Sequence, residues 1–423
     1  MELDWRRLRA VVIESDDWGL CAWSPDEEAR RLLLDTPAWR SPAGIRYGGS
    51  TLESAAHLAS LGAALREVRG GDGLAPVWQA NTVVAAPDYA RLAPPRFHTE
   101  ELPLVDFPDT PSRWSRRGLR EAVDRLVEEG VWWPELHGLH HLPEAAWLAA
   151  LRRGDDDARR AFAQQSPICR SVEASGEYAA AEPRALRVGN LRRAVERFRR
   201  RFGRTPGSFC PPDYHWDPAL DAEAESLGLV TFQGRAEAAG AALPRLRRML
   251  LAARWPRFEG ARFALPPRIA FEPMQAEGRS ERLGVATTRR AVRAAWAARR
   301  PAVVSTHRVN YAHLDPGWAA SGLAALRELL AALAADRAVF LTDAEVRALV
   351  ERDWSLRPIG ARRALLRYYG EPRQPIAFSA PMGVERVAVG EAPAGREADV
   401  TVADGRVTGR FDVGEHLLEW SRA

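Results

Sequence analysis

Hydrophobic and polar positions along this chain follow two alternating patterns. Short apolar runs at residues 10–14, 76–84, 131–136, 208–211, 229–233, 302–305 and 338–341 are bounded by turn formers and predict buried strands. Between them, residues 52–68, 117–129, 144–163, 217–227, 288–298 and 317–334 carry apolar positions three and four apart, the spacing of amphipathic helices. Strands that alternate with helices imply a parallel sheet with crossover helices, and about seven such units suggest an α/β fold closed as a distorted barrel over residues 1–351. After residue 352 the pattern changes. Residues 372–413 are punctuated by Gly and Pro, and Asp404-Gly405 between Val-rich stretches predicts a hairpin, so residues 352–423 are expected to form a small β-rich accessory module. A lid, a dimer contact and carbohydrate binding are all open roles for it. Residues 87–113, rich in Pro and acidic groups, are expected to form a long surface loop.

The first strand ends in adjacent carboxylates, Asp16 and Asp17, in Glu14-Ser15-Asp16-Asp17-Trp18-Gly19. Two carboxylates this close repel, so the pair is costly unless a cation or a shared proton relieves it. Another apolar stretch leads into Glu135-Leu136-His137-Gly138-Leu139-His140-His141, where the i,i+4 spacing of His137 and His141 predicts projection from one helical face. One carboxylate with two imidazoles makes three protein ligands and leaves a coordination position open, as catalytic metal sites do. In α/β folds ligands bind outside the carboxyl ends of the strands, where both clusters fall.

These motifs resemble those of the metal-dependent polysaccharide deacetylase family, carbohydrate esterase family four, and in particular a divergent bacterial branch with Glu-Ser-Asp-Asp-Trp-Gly. The resemblance implies a barrel, Asp16 as general base, and Asp17, His137 and His141 as ligands of a divalent ion, zinc first. Phe209-Cys210-Pro211-Pro212-Asp213-Tyr214 is similar to the family's Arg-Pro-Pro-Tyr segment, which implies an oxyanion contact near Tyr214. Here Cys210 stands where the family keeps arginine, so another cation is expected in that space, with Arg308 the first choice and Arg268 the second. His307, ending the run Ala302-Val303-Val304-Ser305-Thr306, resembles the histidine that protonates the leaving group. Glu272 and Arg308 are candidates to orient it. Trp18 is a candidate for stacking on a sugar ring, and Asn81 for lining the same pocket.

Composition removes several rivals. All 60 basic residues are arginine, which excludes Schiff-base, pyridoxal-phosphate and P-loop chemistry, each of which needs a lysine amine. The net charge is only +4, with arginines and glutamates interleaved along helices, so solvated faces are expected rather than a nucleic-acid groove. Cys21, Cys169 and Cys210 are odd in number and scattered, and imply no disulfide framework. The opening residues lack the apolar core of a signal peptide and no membrane span is expected, so the expected location is the cytoplasm. The expected activity is removal of an acetyl group from an N-acetylated sugar, a soluble or lipid-linked glycan precursor. Two alternatives stay open: a catalytically degenerate carbohydrate-binding protein, and a metal hydrolase for another acyl group or a phosphoester. A zincin protease is disfavoured because Gly138 stands where its motif needs Glu. An iron oxygenase would leave the second Asp unexplained.

Overall fold

Val11, Val12 and Ile13 are buried on both faces of strand β1, Ala10–Trp18, which is the condition of a central strand in a parallel sheet covered by helices. The computed structural model describes residues 3–421 apart from 93, 95–96, 98, 100, 173–175, 235–254, 275–282, 382–383 and 391–398. On one edge β1 pairs in parallel with β7, Ala302–His307, which in turn pairs with β6, Arg268–Ala270. Its other edge is shared in succession: Ala10 to Val12 pair with β8, Val339–Leu341, and Glu14 onward with β2, Trp78–Thr82. Beyond β2 lies β3, Trp132–Leu136. Single bridges from Leu136 to Phe209 and from Phe209 to Phe232 carry the sheet on to β4, Thr231–Phe232, and β5, Arg262–Ala264.

The architecture is therefore a mixed α/β one built on a parallel sheet. Closure into the expected barrel is not seen, because among the described residues no ladder joins β5 to β6. The expected strand at 208–211 is reduced to the bridge at Phe209, since Pro211 and Pro212 supply no N–H to a ladder. β5 and β6 were not anticipated, because Arg262, Arg268 and the prolines between them break the apolar run.

The expected helices form close to where the periodicity placed them, while Arg184–Phe202 and the short helices Glu27–Leu33, Pro37–Arg40 and Pro42–Tyr47 lie outside those ranges. The segment at 144–163 is broken by Gly154 (φ +77°) into Glu144–Arg153 and Asp156–Ala163. Helix Asp343–Arg352, closed by a Thr342–Glu345 capping box, was not anticipated. Helix Pro316–Ala335 is long and apolar enough to cross a membrane, with 20 residues and a mean hydropathy of 1.3, contrary to the expectation from sequence. It packs here on helices Ala55–Arg66 and Val285–Ala297 and buries Leu326, Leu329, Leu330 and Leu333. The segment expected as a loop at 87–113 contains a short helix, Tyr89–Leu92, and a strand, Leu104–Asp106, that pairs back with Ala85–Pro87.

Past residue 353 the described strands are all antiparallel, in one sheet of four and one of three. The hairpin expected at Asp404-Gly405 is present, joining Asp399–Ala403 to Arg406–Arg410, and both turn residues have positive φ (+50° and +69°). Buried Arg367 ties these sheets to Asp72 (2.8 Å) and Glu345 (3.1 Å). A cleft lined by Arg9, Val339, Tyr369 and Glu415 marks the contact at the amino end of β1, opposite the end that carries the aspartates.

Candidate metal centre and active site

The parallel register of β1 and β7 places Asp16 directly beside His307, although 291 residues separate them. At the same point the pairing of β1 with β2 shifts between Ser15 and Trp18, and Asp17 takes a left-handed backbone (φ +76°), which Asp tolerates better than most residues. Neighbours in sequence thereby face different partners. Asp16 turns toward Arg268 and Asn81, and Asp17 toward His137 and His141.

His137 and His141 do not project from a helix, as their spacing suggested; residues 137–142 form an irregular loop after β3. Gly138 (φ +93°) begins it, and a Cβ there would lie 2.8 Å from both Glu177 Oε2 and Pro212 Cγ. The buried Glu177 carboxylate accepts the backbone N–H groups of Leu139 (3.0 Å), His140 (3.2 Å) and His141 (2.9 Å), which holds the loop in place. This loop, rather than a helical face, brings His137 Nε2 to 3.4 Å and His141 Nε2 to 3.8 Å from Asp17 Oδ1. His140 instead faces Glu144 (3.1 Å), away from Asp17.

Ligand atoms of Asp17, His137 and His141 all lie within 4.8 Å of one another. Tetrahedral coordination at roughly 2.0–2.1 Å sets neighbouring ligand atoms about 3.4 Å apart, so the trio fits a divalent ion with little adjustment. The tautomer fits as well. His137 Nδ1 lies 2.8 Å from the Cys210 carbonyl, which can only accept, so Nδ1 carries the proton and the Nε2 lone pair faces Asp17. Asp16, His137 and Cys210 form a second close group. It suits a metal less, because both Asp16 oxygens are already occupied and burial pushes the Cys210 thiol up, away from the thiolate form.

Arg268, on β6, fills the space beside Cys210. It donates to Asp16 Oδ2 (2.7 Å) and Oδ1 (3.1 Å), to the Tyr214 hydroxyl (2.5 Å), to Gln233 (2.7 Å) and to Glu14, with Cys210 Sγ at 3.5 Å. Arg308, the first choice from sequence, is instead fully buried against Glu53 (3.1 Å), whose carboxylate also accepts the Gly19 N–H (3.0 Å) and so braces the turn after Asp17. Burial alone would raise the Asp16 carboxyl; Arg268, then His137 and His307, outweigh it and hold Asp16 well below the usual carboxylate range. Burial likewise works against ionised Asp17, and His137, His307 and His141 overcome it.

His307 Nε2 lies 3.8 Å from Asp16 Oδ2, while its Nδ1 bonds Glu272, which also accepts from Asn310 (2.8 Å) and pairs with Arg46 (2.9 Å). Burial would lower this imidazole, but Glu272, followed by Asp16 and Asp17, pushes it up to about 9, so His307 carries a proton at neutral pH. Asp17, His137, His141, Tyr214 and His307 line one cleft of about 190 Å³. Asp16 is 2% exposed and does not line it.

Two weaker sequence candidates sit elsewhere than expected. Trp18 is core, 1% exposed, edge-on to Trp132 and Trp78, and its indole N–H donates to Ser15 (2.9 Å), so it offers no face to a ligand. Asn81 is fully buried and touches Asp16 (2.5 Å) rather than the cleft. Sequence reasoning missed Gln233, Glu177, Trp23 and Tyr47 altogether, and none of them belongs to a spacing pattern that would have marked it.

No protein-family profile matches the chain, and no curated protein matches it. Solved structures do. A protein from Mycobacterium smegmatis provisionally named a polysaccharide deacetylase shares 15% identity over 80% of this chain and 90% of its own, with a TM-score of 0.38. The carbohydrate deacetylase Agd3 shares 11% identity over 97% of this chain, which spans 65% of Agd3, with a TM-score of 0.34. An Anoxybacillus alpha-amylase overlaps at 10% identity, 100% and 99% coverage, and a TM-score of 0.31. Overlap this loose, extending to an amylase, leaves the chemistry to be read from the side chains.

Proposed function

We propose that this chain is a metal-dependent hydrolase that removes an acetyl group from an N-acetylated sugar. The observation that carries this reading is the meeting, at one end of the sheet, of the Asp17–His137–His141 trio with Asp16 and His307. A divalent ion in the trio, zinc by the choice of ligands, would supply Lewis acidity for an acyl carbonyl and acidify a water. Asp16, buried behind the cleft wall next to Asp17, is assigned as the base that would take the water's proton, and Arg268 and Asn81 hold its carboxylate in place. His307, protonated and anchored by Glu272, delivers a proton to the departing amine. Tyr214, on the cleft wall and tied to Arg268, is placed to orient the acyl group.

A degenerate binding protein would need the cation beside the base to be lost; Arg268 at that place favours turnover. We further propose a cytoplasmic location, on the strength of an odd and scattered set of cysteines that implies no disulfide framework, and a soluble or lipid-linked sugar precursor as substrate. The test is release of acetate from N-acetyl sugars by metal-loaded protein, with O-acetyl and N-formyl sugars in parallel. Faster release from the other acyl groups would move the assignment to them.

Two expected results follow from the residues behind the site. An acid that must hold its proton loses function as pH rises through its titration, so kcat should fall along an alkaline limb, at a pH that Glu272 sets through His307. Glu272→Gln removes the charge that raises it and should move that limb to lower pH, as a full pH–rate profile would show. Glu177→Gln weakens the clamp on the ligand loop and should lower metal affinity by about 10- to 100-fold, read by competition with a chelating dye.

A further inference from the structure

We propose that the cleft takes one N-acylated sugar ring, free or at a chain end, and that Trp23 and Tyr47 set this limit by walling the cleft with an aromatic face. The inference rests on the acyl-hydrolase reading for its chemistry, but its geometry is independent. Residues 19–54, between β1 and helix Ala55–Arg66, form a connection far longer than two adjacent elements require. They fold into three short helices, Glu27–Leu33, Pro37–Arg40 and Pro42–Tyr47, and the last of these lines the cleft through Ala43 and Tyr47.

Trp23 and Tyr47 both line the cleft and stack on each other, their rings nearly parallel (18°) with centroids 5.9 Å apart and the Arg46 guanidinium 4.6 Å from the Tyr47 ring centre, so they form one fixed aromatic unit in the wall with no gap between them for a ring to enter. Trp23 holds a left-handed backbone (φ +66°), unfavourable for so bulky a residue, and is braced edge-on by Trp39 at 5.4 Å. Strain of this kind persists where the surroundings enforce it, commonly at ligand clamps. Tyr47 stands edge-on to His307 at 6.2 Å, and its neighbour Arg46 binds Glu272, the carboxylate that anchors His307. The wall is thus fixed to the same group that holds the acid.

Size and polarity complete the case. Leu142, Ile168 and Val172 line the cleft with apolar side chains, and its volume of about 190 Å³ is below the roughly 300 Å³ at which pockets for drug-sized ligands begin. An internal residue of a polymer needs an open groove on both sides. Here helix Pro42–Tyr47 and the residues around 168–172 contribute to the enclosure. The C–H face of a pyranose suits an indole or phenol wall, with the acyl nitrogen turned toward His307.

The experiment compares N-acetylglucosamine with its β-1,4-linked tetramer in two ways: turnover by metal-loaded wild type, and calorimetric binding to the Asp16→Asn variant. The expected result is binding and turnover of the monomer at least about tenfold better than of the tetramer, with Trp23→Ala raising the monomer's KM about tenfold and leaving kcat much less changed. Trp23→Phe should restore KM, which separates loss of the wall from loss of the fold, and Tyr47→Ala should narrow the gap between monomer and tetramer. Tetramer handled as well as monomer, or failure of both sugars to bind, overturns the inference. Monomer binding that depends on Trp23 without turnover of any acylated sugar supports it and defeats the acyl-hydrolase reading instead.

Discussion

Asp16→Asn is expected to keep its metal and to lose acetate release by about 10²- to 10⁴-fold, the range general-base catalysis supplies. The amide is the same size as the carboxylate, and Asp16 supplies none of the three ligand atoms, Asp17 Oδ1, His137 Nε2 and His141 Nε2, so the ion should remain. Glu14 still bonds Arg268 in the variant, so the buried guanidinium keeps a carboxyl partner and the chain should fold. Acetate release measured alongside metal content decides the matter: metal lost together with activity would make Asp16 a ligand, and activity retained would remove it as the base.

Arg268→Met is expected to give the largest stability loss of any single substitution at the site. The guanidinium is the shared partner of Glu14 and Asp16, both essentially buried, and its removal leaves two carboxylates without their cation. Breaking a buried pair in this way costs about 3–5 kcal/mol. The pH dependence has a definite sign. In the wild type the folded Asp16 value lies below its unfolded one, so its contribution is present above about pH 4 and is lost as pH falls through the folded value. Without Arg268 burial raises the Asp16 carboxyl above its unfolded value, as it already does Glu14 in the wild type, and favours protonation. The deficit of Arg268→Met, followed by urea unfolding at a series of pH values, should therefore be greatest at neutral pH and shrink in acid. A deficit independent of pH would mean that packing, not charge, is what Arg268 supplies.

What could be read from the sequence divides along a physical line. Strand β1, the Asp404-Gly405 hairpin and most helices were legible because each is fixed by residues close together in the chain. The pairing of Asp16 with His307 was foreseen only as a functional requirement; the register that delivers it belongs to two strands 291 residues apart. Arg268 was ranked behind Arg308 because both are arginines near the right strands, and nothing local says that Arg308 turns to Glu53 while Arg268 crosses to Asp16. The i,i+4 spacing of His137 and His141 pointed to a helix because spacing alone cannot reveal Gly138's positive φ or the Glu177 carboxylate that fixes the loop. Trp18 was open to a stacking or a core role, and the shift in register after Ser15 turns it into the core. Closure of the barrel depends on how the ends of the sheet meet, which no local pattern encodes.

The most direct test is the metal content of the purified chain after loading with zinc and removal of excess ion, measured for wild type, Asp17→Ala, His141→Ala and Cys210→Ser. One ion per chain is expected in wild type and in Cys210→Ser, with none in Asp17→Ala and His141→Ala, all four retaining a cooperative unfolding transition. An ion that survives Asp17→Ala and is lost in Cys210→Ser would place the metal on Asp16, His137 and Cys210 and contradict the account.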